Sequence, residues 1–342
     1  TAGSSPIVKE TQKILGEGFG ERSVKELTSL LGHQDRRVRQ EAHLELADRG
    51  PKVIAALSNI AKQNGNQFAR LHAIWALGII GRDASWALKS LETLLKDNDA
   101  EVRAQAAKVL GEGNYRAATS ALIAALNDSS ARVKFFAAIG LGKFRKKEAL
   151  PALLDMIAAN NGKDAYLRHA GVMGLVGINH YASLVQLAKH ESAAVRMAVL
   201  LAFRKLQRPE VAVFLKDKDP RLIIEAARAI NDAKIDPATP QLAALINDLP
   251  DVPEKYRVML LLRVINANYR LGTGNHALAL AKYASLTSQP AEMRSEALYD
   301  LGTWANPHQR DRVMGVYRPL KNRSGTMAAS ALKPLIKTLL ST

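Results

Sequence analysis

Apolar residues recur along this chain at spacings of three and four, as at Val24, Leu27, Leu30 and Leu31, at Leu88, Leu91, Leu94 and Leu95, and at Leu150, Leu153, Leu154 and Ile157. Such spacing places them on one face of a helix. Each stretch leads to a second one with its own phrase: an apolar residue, a base, Ala three residues later, then Leu or Gly. The clearest copies are Val38-Arg39 with Ala42 and Leu46, and Val102-Arg103 with Ala106 and Leu110-Gly111. Others are Arg70 with Ala73 and Leu77, Lys134 with Ala137 and Leu141, Arg168 with Gly171 and Leu175, and Arg294 with Ala297 and Leu301. The base position falls at 39, 70, 103, 134, 168, 196, 223, 257 and 294, with the base lost at Ile223. Intervals of 27 to 37 residues suit two short helices and two turns. The pattern therefore predicts an all-α fold of about nine helical hairpins, each too small to bury its apolar face alone and so stacked in a row. Asp, Asn and Ser clusters at 96–99 and 127–130 read as N-caps. Gly111, Gly142 and Gly302 read as left-handed closures of the second helix.

Composition narrows this picture. Aromatics are 5% of the chain, which suits close-packed helices better than sheets. Cysteine is absent, which excludes zinc fingers, thiol proteases, iron–sulfur sites and covalently attached haem, all of which need a sulfur ligand or nucleophile. With 48 Lys and Arg against 32 Asp and Glu the net charge is +16; this points to an anionic partner without choosing among nucleic acid, lipid and protein. The longest run without Asp, Glu, Lys or Arg, residues 169–188, is broken by Gly177, Asn179 and His180, so no membrane span is expected. The opening Thr-Ala-Gly-Ser-Ser-Pro has neither an initiator Met nor a signal peptide, as in a trimmed product or a piece of a longer chain. Residues 1–20 are expected to be a leader or linker, and 21–342 a single solenoid with a basic cap from about 310.

The recurring base, at Arg39, Arg70, Arg103, Lys134, Arg168, Arg196, Arg257 and Arg294, is expected to form a structural ladder. Each cation would bond an Asp or a helix-end carbonyl in its own or the adjoining repeat. A catalytic role for a residue repeated along an array is excluded by the need for convergence; a basic groove for phosphates is the alternative. His72 and Trp75, three apart on one helix, and His169 in a comparable second helix are the candidate contacts on an inner, concave surface. The other histidines show no zinc-ligand spacing, so no metal is expected. Glu41 with Glu45, and Glu292 with Glu296, each lie near an Arg and read as solvated helix charge. The glycine clusters 16–20 and 272–274 lack the strand and the Gly-Lys-Ser/Thr ending of a phosphate loop. The densest basic stretch holds Arg310, Arg312, Arg318, Lys321 and Arg323, followed by a loop and a last helix over 327–340. It is either a docking patch for an acidic partner or a charged cap.

The period, the apolar–Arg pair and the following Ala resemble HEAT repeats, in particular the short kind found in phycobilisome lyases. Longer phrases resemble the HEAT segment of large secreted proteins of aquatic and gut bacteria. These phrases are Arg22-Ser-Val-Lys-Glu-Leu27, Arg36-Arg-Val-Arg39, Ala69-Arg-Leu-His-Ala-Ile-Trp75, Tyr166-Leu-Arg-His-Ala-Gly171, Glu225-Ala-Ala-Arg-Ala-Ile-Asn-Asp232 and Val264-Ile-Asn-Ala-Asn268. In that family a sugar-dehydrogenase-like β-propeller precedes the repeats and a c-type cytochrome domain follows them. The resemblance implies a linking role outside the cytoplasm, with no cofactor in this segment and no redox residue carried onto it. The expected function is thus a non-enzymatic scaffold for protein–protein or interdomain contacts. The alternatives are a nucleic-acid binder of the HEAT-like kind and a tetrapyrrole-binding protein resembling the lyases.

Overall fold

The computed structural model describes residues 5–63 and 65–341. Apart from one isolated bridge between Arg310 and Tyr317, the regular structure among them is helical. In chain order the α-helices are α1 (Pro6–Glu17), α2 (Val24–Leu30), α3 (Arg36–Asp48), α4 (Ile54–Gln63), α5 (Gln67–Ile80), α6 (Ala100–Glu112), α7 (Thr119–Ala125), α8 (Ala131–Phe144), α9 (Leu150–Asn160) and α10 (Ala165–Ile178). They continue as α11 (Tyr181–Leu187), α12 (Ala193–Lys205), α13 (Pro220–Asp232), α14 (Thr239–Ala244), α15 (Glu254–Leu271), α16 (Gly274–Ala284), α17 (Ala291–Gly302), α18 (Thr326–Leu332) and α19 (Ile336–Leu340). Two longer 3-10 segments, Ser85–Lys96 and Pro209–Lys216, take the place of first helices in their hairpins. Leu88, Leu91 and Leu94 are buried in the first of these. Their strict three-residue spacing is the 3-10 period, which explains why this turn type replaces the expected α-helix.

The helices gather into two compact units, one up to Tyr181 and the other from Ala182. In the first, the second helices α3, α5, α6, α8 and α10 pack side by side as one layer. Helices α2 and α4, the 3-10 segment, α7 and α9 form the other layer. The second unit repeats the scheme with α12, α13, α15 and α17 against Pro209–Lys216, α14 and α16, and α18 packs on α16. Between layers lie fully buried residues such as Leu27, Leu57, Leu77, Leu110, Leu141 and Leu175 in the first unit and Phe203, Phe214, Leu242 and Leu280 in the second. Leu27, Leu77, Leu110, Leu141 and Leu175 are periodic apolar positions of the sequence, and burying a Leu or Phe side chain stabilises by about 1.5–3 kcal/mol.

Of the two predicted capping clusters, 96–99 caps α6 through Asp99, whereas Ser130 of 127–130 makes no side-chain cap on α8. Asp35, Asp99, Asp164 and Asp219 accept first-turn amides, and Ser23 with Glu26 forms a capping box. Three further local expectations are corrected. Gly111 and Gly142 are not left-handed closures but lie inside α6 and α8, and Gly302 ends α17 without a positive φ. A Cβ on Gly111 would stand 2.6 Å from Gly140 Cα, so the glycine is there to let α6 and α8 touch. Left-handed residues at helix ends are instead Asn114, Arg145, Asn161, Asn179, Gln207 and Lys234, and Gly272 closes α15. Within the expected leader, Pro6–Glu17 is helix α1 with Thr11 and Ile14 buried; residues 1–4 lie outside the described residues. The last helix is broken by Pro334, whose ring cannot donate into the helix ladder, so a 3-10 turn separates α18 from α19.

Candidate interaction site

The recurring bases do three different things. Arg103 on α6 sends Nε and Nη2 to both oxygens of Asp128 at 2.7 and 2.9 Å, and Nη1 to the carbonyls of Asp97 and Asn98. Arg196 on α12 repeats this with Asp217 at 2.7 and 2.8 Å and the carbonyls of His190 and Glu191. Arg70 on α5 pairs with Asp97 through both terminal nitrogens and with the Ala61 carbonyl through Nε. Each acceptor belongs to the loop of the next hairpin and also takes a loop amide two residues on, from Asp99, Ser130 and Asp219. The Arg103 guanidinium leads in holding the Asp128 carboxyl below its ordinary range. For Asp97 burial pushes upward, but Arg70 and the Asp99 amide outweigh it and the carboxyl is lowered. These rungs tie one repeat to the next by charge-assisted bidentate bonds.

The remaining bases depart from that pattern. Arg257 pairs with Glu254 in its own first turn at 3.1 Å, and Arg294 donates to the Ala284 carbonyl. Lys134 and Arg168 are half-buried without a bonded carboxylate among the described residues. Arg39 keeps the two loop carbonyls, of His33 and Gln34. Lacking the loop Asp, it turns Nε to His72 Nε2 at 3.3 Å and lies 4.4 Å over the Phe68 ring.

That substitution builds a polar and aromatic strip across four second helices. Because Arg39 can only donate, His72 must accept at Nε2 and carry its proton on Nδ1, which then faces His43 Nδ1 at 2.9 Å. Burial first, then His43 and Arg39, push His72 down to about 3, so it stays neutral. Trp75 meets the His72 ring edge-on at 4.8 Å and donates to Gln105 Oε1 at 2.9 Å. Gln105 in turn donates to Glu101, which pairs with Arg132 at 2.9 Å, and Arg132 lies over Phe136. His72 and Trp75 are thus brought together, while His169 is exposed on α10 and takes no part. His72 is buried with both ring nitrogens engaged, so it is a strut between α3 and α5 rather than a surface contact.

Above the rungs the second-helix layer of the first unit is mixed, with charged Arg37, Glu101 and Arg132 at the positions that hold Phe68 and Tyr166 in other repeats. Phe68 and Tyr166, each two residues before the recurring base, are 52% and 78% exposed. Leu44, exposed on α3, and Trp75, half-buried on α5, both stand five residues after it. Sequence reasoning missed Phe68 and Tyr166, and missed the acceptors Asp97, Asp128 and Asp217. The signal for the latter was the spacing Asp97-x-Asp99, Asp128-x-Ser130 and Asp217-x-Asp219, one loop Asp two residues ahead of each N-cap.

The basic C-terminal stretch is not a free patch. Arg310 donates to the Gly315 carbonyl, and Arg312 makes two bonds to Glu296 at 2.6 and 2.7 Å. Arg318 reaches the Asn231 carbonyl and Asp236, and Arg323 reaches the carbonyls of Trp304 and Tyr269 while stacking on Trp304 at 3.8 Å. Lys321 alone of the five is exposed without a bonded partner. Among the described residues no helix is long and apolar enough to cross a membrane, and no three His, Asp or Glu side chains group to hold a metal ion.

The family of HEAT repeats matches residues 24–97 and 87–175. Residues 24–175 are thus similar to HEAT repeats, and the described residues adopt an all-helical, solenoid type of fold. Among solved structures it is similar to YibA of Escherichia coli, with 17% identity, 76% of this chain and 95% of that one covered, and a TM-score of 0.37. It is similar to the complex of CpcE and CpcF of phycocyanin lyase from Nostoc sp., with 18% identity, coverage of 84% and 92%, and a TM-score of 0.36. Importin beta matches with 12% identity, coverage of 82% of this chain and 44% of that one, and a TM-score of 0.47. No curated protein matches the sequence.

Proposed function

We propose that the chain is a non-enzymatic scaffold whose second-helix layer, in the unit ending at Tyr181, meets a partner protein or a flanking domain of its own polypeptide. The observation that carries this reading is the register of Phe68 and Tyr166 at one repeat position, both exposed, with Arg70 beside Phe68 already engaged in holding the repeats. By the resemblance of its longer phrases, the chain is the spacer of an exported redox protein, between a propeller dehydrogenase and a c-type cytochrome domain, and needs no cofactor of its own. The alternatives draw less support. A phosphate track would need the guanidiniums of Arg70, Arg103 and Arg196, which are bonded to Asp97, Asp128 and Asp217. Tetrapyrrole ligation through His72 would have to break two buried hydrogen bonds.

The test uses the complete reading frame. Cross-linking from residues 68 and 166 is expected to reach a flanking domain or a copurifying protein. Phe68→Ser with Tyr166→Ser is expected to weaken that contact about tenfold or more, equivalent to ~1.4 kcal/mol. Robust turnover by the isolated chain, abolished by changing one side-chain cluster, would overturn the scaffold reading; so would salt-sensitive DNA binding untouched by the double substitution.

A further inference from the structure

Beyond α17 the chain runs without helix from 303 to 325 as a strap over the second helices of its own unit. Its attachment is unusual. Between residues 305 and 325 only Asp311 is buried, at 2% exposure, while Met314, Val316 and Tyr317 face water. Beyond Trp304, buried at its start with Arg323 stacked on it, the strap is held by ionic and hydrogen bonds: Arg312 to Glu296, Arg318 to Asp236 and the Asn231 carbonyl, and Asp311 to the floor beneath it. Attachments of this kind are weakened by salt and open more readily than apolar ones.

The floor is a recess of buried donors. Asn266 on α15 gives one amide nitrogen both to Asn231 Oδ1 on α13 at 2.8 Å and to Asp311 Oδ2 at 3.0 Å. Arg270, one turn on, brings Nη1 to the same carboxylate oxygen at 3.4 Å and to the Arg318 carbonyl at 3.3 Å. Arg318 itself stands 3.5 Å from that oxygen. The other oxygen, Oδ1, accepts the amides of Val313 and Met314, both at 3.0 Å, and so folds the strap into a tight hairpin closed by Gly315. Asn231 and Asn266 are both nearly fully buried. With the strap away, Asn266 would keep Asn231 but the Arg270 guanidinium would lose both the Asp311 carboxylate and the Arg318 carbonyl, which costs free energy in that recess. Whatever replaces Asp311 must therefore bring a carboxylate of its own.

We propose that the α13–α15 recess is a carboxylate-recognition site which the chain fills in cis with Asp311, and that an Asp-bearing turn of a partner polypeptide enters it by displacing the strap. The strap is a built-in copy of that ligand: an Asp followed within four residues by a tight turn. This deepens the scaffold reading by naming the chemistry of one partner, and it places that partner on a different unit from Phe68 and Tyr166.

The test uses the whole chain and a fluorescent peptide of the chain's own residues 306–320. Asp311→Asn loosens the strap and leaves the recess intact. The variant is expected to bind the peptide at least tenfold more tightly than the unaltered chain, with affinity falling as salt is raised, and amide exchange over 306–320 is expected to quicken about tenfold while α13 and α15 stay protected. A peptide carrying Asn in place of its Asp should bind at least tenfold more weakly, and Arg270→Gln in the variant should remove binding. Should Asp311→Asn fail to fold, Glu296→Gln, which frees only Arg312, takes its place with the same expectations. Strap protection unchanged in the variant, no peptide binding, or equal binding of the Asp and Asn peptides would overturn the proposal. Phe68→Ser with Tyr166→Ser should leave peptide binding unchanged, so loss of this site and loss of the first-unit contact are read separately.

Discussion

The two units treat the same layer in opposite ways. Up to Tyr181 the second helices keep the Ala and Gly positions that let them touch, as at Gly111 and Gly140, and Phe68 and Tyr166 stand open to solvent. From Ala182 the repeat drifts: the base is lost at Ile223, α15 lengthens to 18 residues, and Asn231, Asn266 and Asp300 are buried. There the chain covers its own second helices with a strap. A regular array leaves its face for something else to cover, whereas an irregular one buries polar groups that its own chain must satisfy.

Titration sharpens the contrast. In the first unit the buried ionisable group is His72, whose folded value of about 3 lies below the ordinary 6.5. The unfolded chain binds the extra proton between those values, so stability is full above about 6.5 and falls as pH drops towards 3. In the second it is Asp300, raised from 3.8 to about 8 by burial, then by Glu296. Here the folded chain holds the extra proton, so stability is full below about 4 and falls as pH rises towards 8. These two groups should therefore draw stability from their units at opposite ends of the pH scale.

Four experiments break or sharpen this comparison. The largest effect is expected for Arg196→Ala, which strands Asp217 in a pair exposed by only 5% and 7%. Denaturant unfolding should show a loss of about 3–5 kcal/mol, against at most about 1 kcal/mol for Arg257→Ala in its more exposed pair. Next comes Gly111→Ala, whose Cβ meets Gly140 Cα at 2.6 Å and should cost about 1–3 kcal/mol. At Gly302, where nothing lies within 4 Å, the same change should cost nothing measurable by melting. Asp300→Asn should then flatten the fall of melting temperature between pH 4 and 8; an unchanged slope would place the proton elsewhere. Smallest of all, Phe68→Ser with Tyr166→Ser should shift the melting temperature by no more than about 2 °C, since exposed positions contribute within about 0.5 kcal/mol.

Much of this was legible in the residues. The period, the paired helices and most caps follow from local spacing, because apolar periodicity and capping oxygens act within a few residues of themselves. The candidate site was legible in part. His72 and Trp75 are close by helical spacing alone, but His43 and Gln105 join them only through neighbouring helices 29 and 30 residues away. The basic stretch around Arg318 read as a charge cluster because nothing near it in sequence shows Asn231 or Asp236, 87 and 82 residues earlier, waiting to bond it.

The amino-acid order by itself determined that this chain would stack helical hairpins, with a base near the start of most second helices. It did so because hydrophobic period, capping and turn chemistry are short-range. Which arginines become rungs, which glycines permit contact and where the chain folds back on itself were decided only by the tertiary structure. A guanidinium chooses among acceptors according to what packing brings within 3 Å of it, and that choice is made across whole repeats.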